Sequence, residues 1–334
     1  MRPDRLPGSI VLYPLTFHPL FKERVWGGRN LESLYGKSLP PGIPIGESWE
    51  ISDRPGDVSV IAKGPLAGKD LRWLMEHHER DLLGGAASQN GRFPLLIKIL
   101  DAQDKLSLQV HPPPQKAAEL GGEPKTELWY IVRAAPAAEL YVGLKRGVTR
   151  REFERKIQTG DVDGCFHRVP VKAGDAMFLP SGRVHSIGGG LVLFEIQQNS
   201  DTTYRVFDWN RAGLDGKPRE LHIAQSLASI DFTDFEPSLV DTQFSTAGRF
   251  KIRPLARHAL FKADLFRALS QESLVFRQPR LRIVAVLENR VRVTDGTTAV
   301  DLHPGQFCLV PASVKKLELA NKIGSSFLLV ETGG

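Results

Sequence analysis

Gln109, His111, Glu127 and His185 together offer an amide, two imidazoles and a carboxylate, a donor set able to hold one divalent cation. Alternate side chains of a strand share a face, so Gln109 and His111 of Gln109-Val110-His111 are expected to project into the same space. Glu127, closing Lys125-Thr126-Glu127, and His185, just beyond Pro180, can complete the shell. Nitrogen and oxygen donors without thiolate suit zinc or a neighbouring divalent ion and argue against an iron–sulfur cluster. Glu127 directly precedes the apolar run Leu128-Trp129-Tyr130-Ile131-Val132, where an inward carboxylate needs a partner; a metal would supply one. The amide of Gln109 is the weakest donor of the four.

The elements that must position these residues read as short β-rich runs separated by Gly, Pro and Asp, at 94–100, 106–111, 127–132, 176–179 and 191–197. Three helices interrupt them. Asp70 caps one through Leu83, with Leu71, Leu74, Met75 and Leu82 on one face and Gly84-Gly85 as the stop. Thr149-Arg150-Arg151-Glu152 is a capping box opening a second that Gly160 ends, and the third spans 222–230. After Asp231–Pro237 the texture is wholly β, at 281–287, 291–294, 298–302, 307–310 and 327–330. This pattern predicts a mainly β protein of two cupin-type jelly-roll β-barrels with a few inserted α-helices. Residues 1–237 are expected to form the catalytic, metal-binding domain and 238–334 a second, degenerate cupin-like domain. A weak repeat supports the division: Gly174-Asp175 with Pro180 is echoed by Gly305-Gln306 with Pro311 at the same spacing. Where His185 follows the first copy, Lys316 follows the second, so the ligand is lost there.

The chain has 334 residues and a formal charge of +6. Lysines and arginines are scattered among acids with no nucleic-acid motif, which ranks a small anionic substrate above a polymer. Cys165 and Cys308 are too few for a disulfide scaffold and read as buried thiols of a reducing compartment. No apolar run approaches membrane-spanning length, and Met1-Arg2-Pro3-Asp4-Arg5-Leu6-Pro7 lacks the apolar stretch of a signal peptide, so a cytoplasmic protein is expected. Trp26 and Trp49 read as core packing, and Gly27-Gly28 and Gly188-Gly189-Gly190 as turns.

The candidate ligands belong to an ordered series: Val25-Trp26-Gly27-Gly28, Gly46-Glu47-Ser48-Trp49-Glu50, Leu106-Ser107-Leu108-Gln109-Val110-His111-Pro112, Lys125-Thr126-Glu127-Leu128-Trp129-Tyr130, Pro180-Ser181-Gly182-Arg183-Val184-His185, and the run from Glu195 through Arg205 to Asp208. In this order they resemble the type I mannose-6-phosphate isomerase family, in its short bacterial and archaeal form, from about residue 15 to 230. Pro112-Pro113-Pro114 and Pro124 depart from the family pattern, at the loop rim rather than at a ligand. The resemblance implies Gln109, His111, Glu127 and His185 as zinc ligands, Arg205 in the catalytic position, and Lys125, Glu195, Asp201, Ser107 and Lys98 lining the pocket.

The implied reaction interconverts mannose 6-phosphate and fructose 6-phosphate through an enediol, with one zinc and no organic cofactor. Its charged intermediate calls for a Lewis acid and a proton carrier. Lys125 and Glu195 are rival bases, and the guanidinium of Arg205 either steadies the enediolate or grips phosphate. The competing readings are an iron-dependent cupin oxygenase, whose shell is commonly histidine-rich, and a non-catalytic sugar-binding cupin, against which Arg205 and Lys125 together weigh.

Overall fold

Strand Leu191–Gln198 is buried along its whole length because it lies inside a six-stranded antiparallel sheet and is paired on both edges. The structure, a computed structural model, describes residues 10–332; the opening heptapeptide weighed above as a signal sequence lies outside them. In that sheet the order is Leu20–Gly28, Ile45–Ile51, Leu95–Ala102, Leu191–Gln198, Glu127–Ala134, Ala176–Leu179. A five-stranded antiparallel sheet accompanies it, in the order Tyr204–Phe207, Leu108–Val110, His185–Ile187, Glu139–Leu144, Phe166–Pro170. Trp129, Ile131 and Leu193 from the first sheet and Leu140, Val142 and Ile187 from the second form one buried cluster, so the core lies between the two. A separate cluster joins Leu108, Val110 and Val206 of the five-stranded sheet to Phe153 of helix Arg150–Thr159 and to Ile230. The mainly β class with a few inserted helices holds, the strands lying in open antiparallel sheets.

The chain forms two compact units that interleave along the sequence. One is His18–Ser59 with Arg92–Gln243; the other takes in the stretch up to Phe17, Val60–Gly91 and the chain from Phe244 onward. The expected boundary at 237/238 falls close to the junction at 243/244, whereas the earlier segments join the second unit because their backbone bonds run there. Leu15 and Leu309 exchange both N–H···O bonds at 2.8 Å, and the carbonyls of Asp81 and Leu82 accept from Ser313 (2.8 Å) and Ala312 (2.9 Å). This second unit holds a six-stranded sheet, Ser245–Ala247, Phe250–Arg257, Phe261–Ala268, Ser326–Thr332, Arg282–Glu288, Phe307–Val310, and a four-stranded one, Glu272–Phe276, Leu317–Asn321, Val291–Thr294, Ala299–Leu302. Val284, Val286 and Phe327 pack against Val291, Leu317 and Leu319.

Helix ends follow the capping signals. Asp70 accepts from the Trp73 N–H at 2.7 Å at the start of Leu71–Leu83, and Thr149 from the Glu152 N–H at 3.2 Å at the start of Arg150–Thr159. The third helix is Ile223–Ser229. Gly27 and Gly28 are not a turn. They close strand Leu20–Gly28, where a Cβ on Gly27 would stand 2.4 Å from the Gly46 nitrogen, so glycine is what lets the two strands approach.

The sequence repeat is a repeat of topology. Ala176–Leu179 and Phe307–Val310 each form the edge of a six-stranded sheet, and each follows a glycine at positive φ, Gly174 at 92° and Gly305 at 75°. Leu179 pairs with Glu127 and Val310 with Arg282. A buried arginine, ion-paired to Glu331 at 2.7 Å, therefore takes in the second unit the place that Glu127 holds in the first.

Candidate metal centre and cavity

Two cross-strand rows build the site. Arg205 pairs with Gln109 and Gln109 with His185, so three strands of the five-stranded sheet present these side chains in line. On the six-stranded sheet Trp49 pairs with Lys98, Lys98 with Glu195, and Glu195 with Trp129. Directly opposed residues of antiparallel strands share a face, so each row turns one way as a block.

The ligand atoms of His111, Glu127 and His185 all lie within 4.8 Å of one another, and all three residues are buried. His111 Nε2 is 3.4 Å from Glu127 Oε1, and His185 Nε2 is 3.6 Å from Oε2. Each imidazole is oriented through its other nitrogen: Nδ1–H of His111 donates to the Thr202 carbonyl at 2.7 Å, and that of His185 to the Arg183 carbonyl at 2.9 Å. Those carbonyl acceptors select the tautomer whose Nε2 lone pair points inward. Burial, helped by the Lys125 charge, holds the His111 pKa down to about 3, and burial lowers His185 likewise, so both rings are neutral donors near neutral pH.

Gln109 Nε2 stands 3.4 Å from His185 Nε2; rotating the terminal amide by half a turn brings Oε1 to the same point. Glu127 is fully buried. Burial pushes its pKa up, but Lys125 and the two histidines more than offset this and hold it well below the usual carboxylate range. Its oxygens meet the Lys125 ammonium yet accept no well-formed hydrogen bond among the described residues. A buried carboxylate so poorly supplied with donors is expensive, and a divalent cation between it and two inward lone pairs would satisfy it. The residues fit a metal. The strand begins at Glu127, and Lys125 sits just outside it with its N–H on Ser181 Oγ at 2.9 Å.

A cavity of about 570 Å³ lies beside this centre, which Lys125 joins to its wall by pairing with Glu127. Gln109 and Lys125 line it, whereas His111, Glu127 and His185 are not part of its wall. Arg205, Glu195, Lys98, Ser107 and Asp201 also line it, Asp201 at the exposed rim, so the cavity brings together every residue expected there. Lys98 Nζ lies between Glu195 (3.3 Å) and Glu47 (3.6 Å) and 5.0 Å from the Trp49 ring centre. Trp129 Nε1–H donates to Glu195 at 2.8 Å and Trp49 Nε1–H to Glu47 at 2.6 Å, while Arg24 Nε–H donates to Glu47 at 2.7 Å. Burial raises Glu195, reinforced by the Glu127 charge. At Glu47 burial acts in the same sense, but Lys98 and Arg24 outweigh it and take the pKa to about 2.

Glu47, Trp129 and Arg219 line the cavity without having been singled out in the sequence. The first two stand inside recognisable runs, Gly46-Glu47-Ser48 and Lys125-Thr126-Glu127-Leu128-Trp129; Arg219 had no signal. Trp49 is buried core as expected, and buried Trp26 also reaches the cavity wall. The triple proline starts a short helix, Pro114–Ala117, with Pro at its first position.

The description "Phosphomannose isomerase type I, catalytic domain" matches residues 15–129. Mannose-6-phosphate isomerase ManA of Bacillus subtilis is 36% identical over 315 residues, covering 92% of this chain and 95% of that protein. The chain belongs to the type I mannose-6-phosphate isomerase family. A second relative in it, the mannose-6-phosphate isomerase of Streptococcus mutans, is 36% identical over 303 residues, 90% of this chain and 93% of that one. The crystal structure of the Bacillus subtilis mannose 6-phosphate isomerase superposes with a TM-score of 0.86 at 32% identity, covering 96% of this chain and 99% of that chain. The family's cupin fold is thus the fold of this chain, and neither the oxygenase nor the binding-module reading finds a relative among these.

Proposed function

We propose that the protein is a zinc-dependent isomerase interconverting mannose 6-phosphate and fructose 6-phosphate, with Gln109, His111, Glu127 and His185 as the metal ligands. One observation carries this reading: two inward imidazole nitrogens and a buried carboxylate that accepts no hydrogen bond among the described residues converge beside a cavity lined by Gln109, Lys125 and Arg205. When bound, the cation would polarise the sugar oxygens beside the reacting carbons as a Lewis acid.

The chain's own groups supply the rest. A proton must leave C2 of the aldose and reach C1 of the ketose, and both Lys125 and Glu195 face the cavity as carriers. Glu195 is fixed by Trp129 and Lys98, and its raised pKa brings it toward the working range of a base. Lys125 is nearer the metal ligands, with Nζ 3.4 Å from His111 Nε2. Arg205, a permanent cation on the cavity wall, would steady the charge that develops on the enediolate, while Ser107 and Asp201 contact the substrate's hydroxyls. The second unit, with Arg282 in place of a carboxylate ligand, supports rather than catalyses. No helix among the described residues is long and apolar enough to cross a membrane.

A coupled assay for fructose 6-phosphate, run with and without chelator, tests the reading: turnover should vanish on chelation and return with zinc. Turnover untouched by chelator would refute it. Exchange of the C2 hydrogen with solvent in Lys125→Ala and Glu195→Gln identifies the carrier as the residue whose loss abolishes exchange.

A further inference from the structure

We propose that Arg219, held by Asp208, is the phosphate-recognising residue of the cavity. Sugar phosphate as the occupant rests on the isomerase reading; the anion subsite itself rests on charge and geometry.

The cavity wall carries five cations, Arg24, Lys98, Lys125, Arg205 and Arg219. Three are already neutralised: Lys98 and Arg24 by Glu47 and Glu195, Lys125 by Glu127. That side can take a neutral polyol but has no charge to spare for a dianion.

The end built by residues 205–219 is different. A single buried carboxylate, Asp208, serves both Arg211, at 3.0 Å, and Arg219, at 2.7 and 2.6 Å. Arg205 forms no ion pair with a carboxylate among the described residues, though Asp208 and Glu220 act on it from further away. Its Nη1–H donates to the Glu220 carbonyl at 2.7 Å, and its Nε is buried without a hydrogen bond. Three guanidinium groups thus face one buried carboxylate. Asp104 touches Arg211 at 3.2 Å from a side chain 64% exposed, and Asp201 and Asp215 are exposed too, so water screens all three.

Asp208 grips Nε and Nη2 of Arg219, which fixes the guanidinium plane; Nη1 makes no hydrogen bond among the described residues and remains to donate. A fixed planar fork is suited to phosphate oxygens. The segments bearing Arg205 and Arg219 are pinned together, the His222 N–H donating to the Arg205 carbonyl at 2.8 Å and the Arg205 N–H to His222 Nδ1 at 3.2 Å. Asp208 is accordingly a positioning residue and Arg219 the one that touches the anion.

The test is calorimetric titration of the metal-loaded protein with inorganic phosphate and with mannose 6-phosphate. Arg219→Gln should weaken both about tenfold or more, and Arg219→Lys, which keeps the charge but loses the fork, should fall between. Asp208→Asn should raise KM for mannose 6-phosphate more than it lowers kcat. A loss below threefold in Arg219→Gln, or a wild type that binds neither probe, overturns the subsite. A wild type that binds phosphate but does not turn over mannose 6-phosphate sinks the isomerase reading and leaves the subsite standing.

Discussion

His185 and Gln109 oppose each other directly across adjacent antiparallel strands, with their Nε2 atoms 3.4 Å apart. Register alone thus brings together two donors separated by more than seventy residues, and a slip of one residue would turn either to the wrong face. The same register seats Arg205 on the far side of Gln109.

Glu127→Gln should abolish tight metal binding, since it removes the only carboxylate among the proposed ligands. Elemental analysis of the purified variant should give a zinc content near zero, with turnover down at least about 100-fold. Retention of full zinc occupancy would remove Glu127 from the ligand set.

Asp234 clamps Arg183 through two bonds of 2.8 Å, and the Arg183 carbonyl in turn orients His185. Asp234→Ala should free that carbonyl and weaken zinc about 10-fold or more, read by competition with a chromogenic chelator. Zinc affinity equal to wild type would show that the carbonyl is held by the strand alone.

Glu47 has a folded pKa of about 2 against an ordinary value of 4.5. A carboxylate depressed on folding stabilises the protein above its unfolded pKa, and that contribution is lost as pH falls from 4.5 towards 2. It amounts to about 3 kcal/mol. Chemical denaturation of wild type and Glu47→Gln should therefore show a stability gap that narrows between pH 5 and about pH 3. A constant gap would mean that Lys98 and Arg24 do not discriminate the charged form.

Gly182 has a φ of 94°, and its N–H donates to the His111 carbonyl at 2.9 Å, tying the turn before His185 to the other histidine. Gly182→Ala should cost about 1–3 kcal/mol and lower the melting temperature by several degrees. An unshifted melting curve would show that the turn relaxes without strain.

The proposed metal ligands could be read from the sequence because strand alternation and a carboxylate ahead of an apolar run are local features of Gln109-Val110-His111 and of Glu127. Strands such as Ala176–Leu179 and the two capped helices were legible for the same reason: a turn glycine, a cap and a period suffice. His185–Ile187 and Tyr204–Phe207 were not, since segments so short carry no period and exist only through their neighbours. Glu47 and Arg219 escaped because their significance depends on Lys98 and Asp208, which lie opposite in space or across a loop. The grouping of Val60–Gly91 with distant strands has no local signature at all.

That grouping bears on how the protein can be dissected. Ending the chain at Phe244 would not yield a free-standing catalytic fragment, because helix Leu71–Leu83 would lose Ala312 and Ser313, the residues whose N–H groups bond to its C-terminal end. Excision would have to take the stretch up to Phe17, Val60–Gly91 and the chain from Phe244 together and rejoin Ser59 to Arg92, so the sequence offers no single cut that separates the units cleanly.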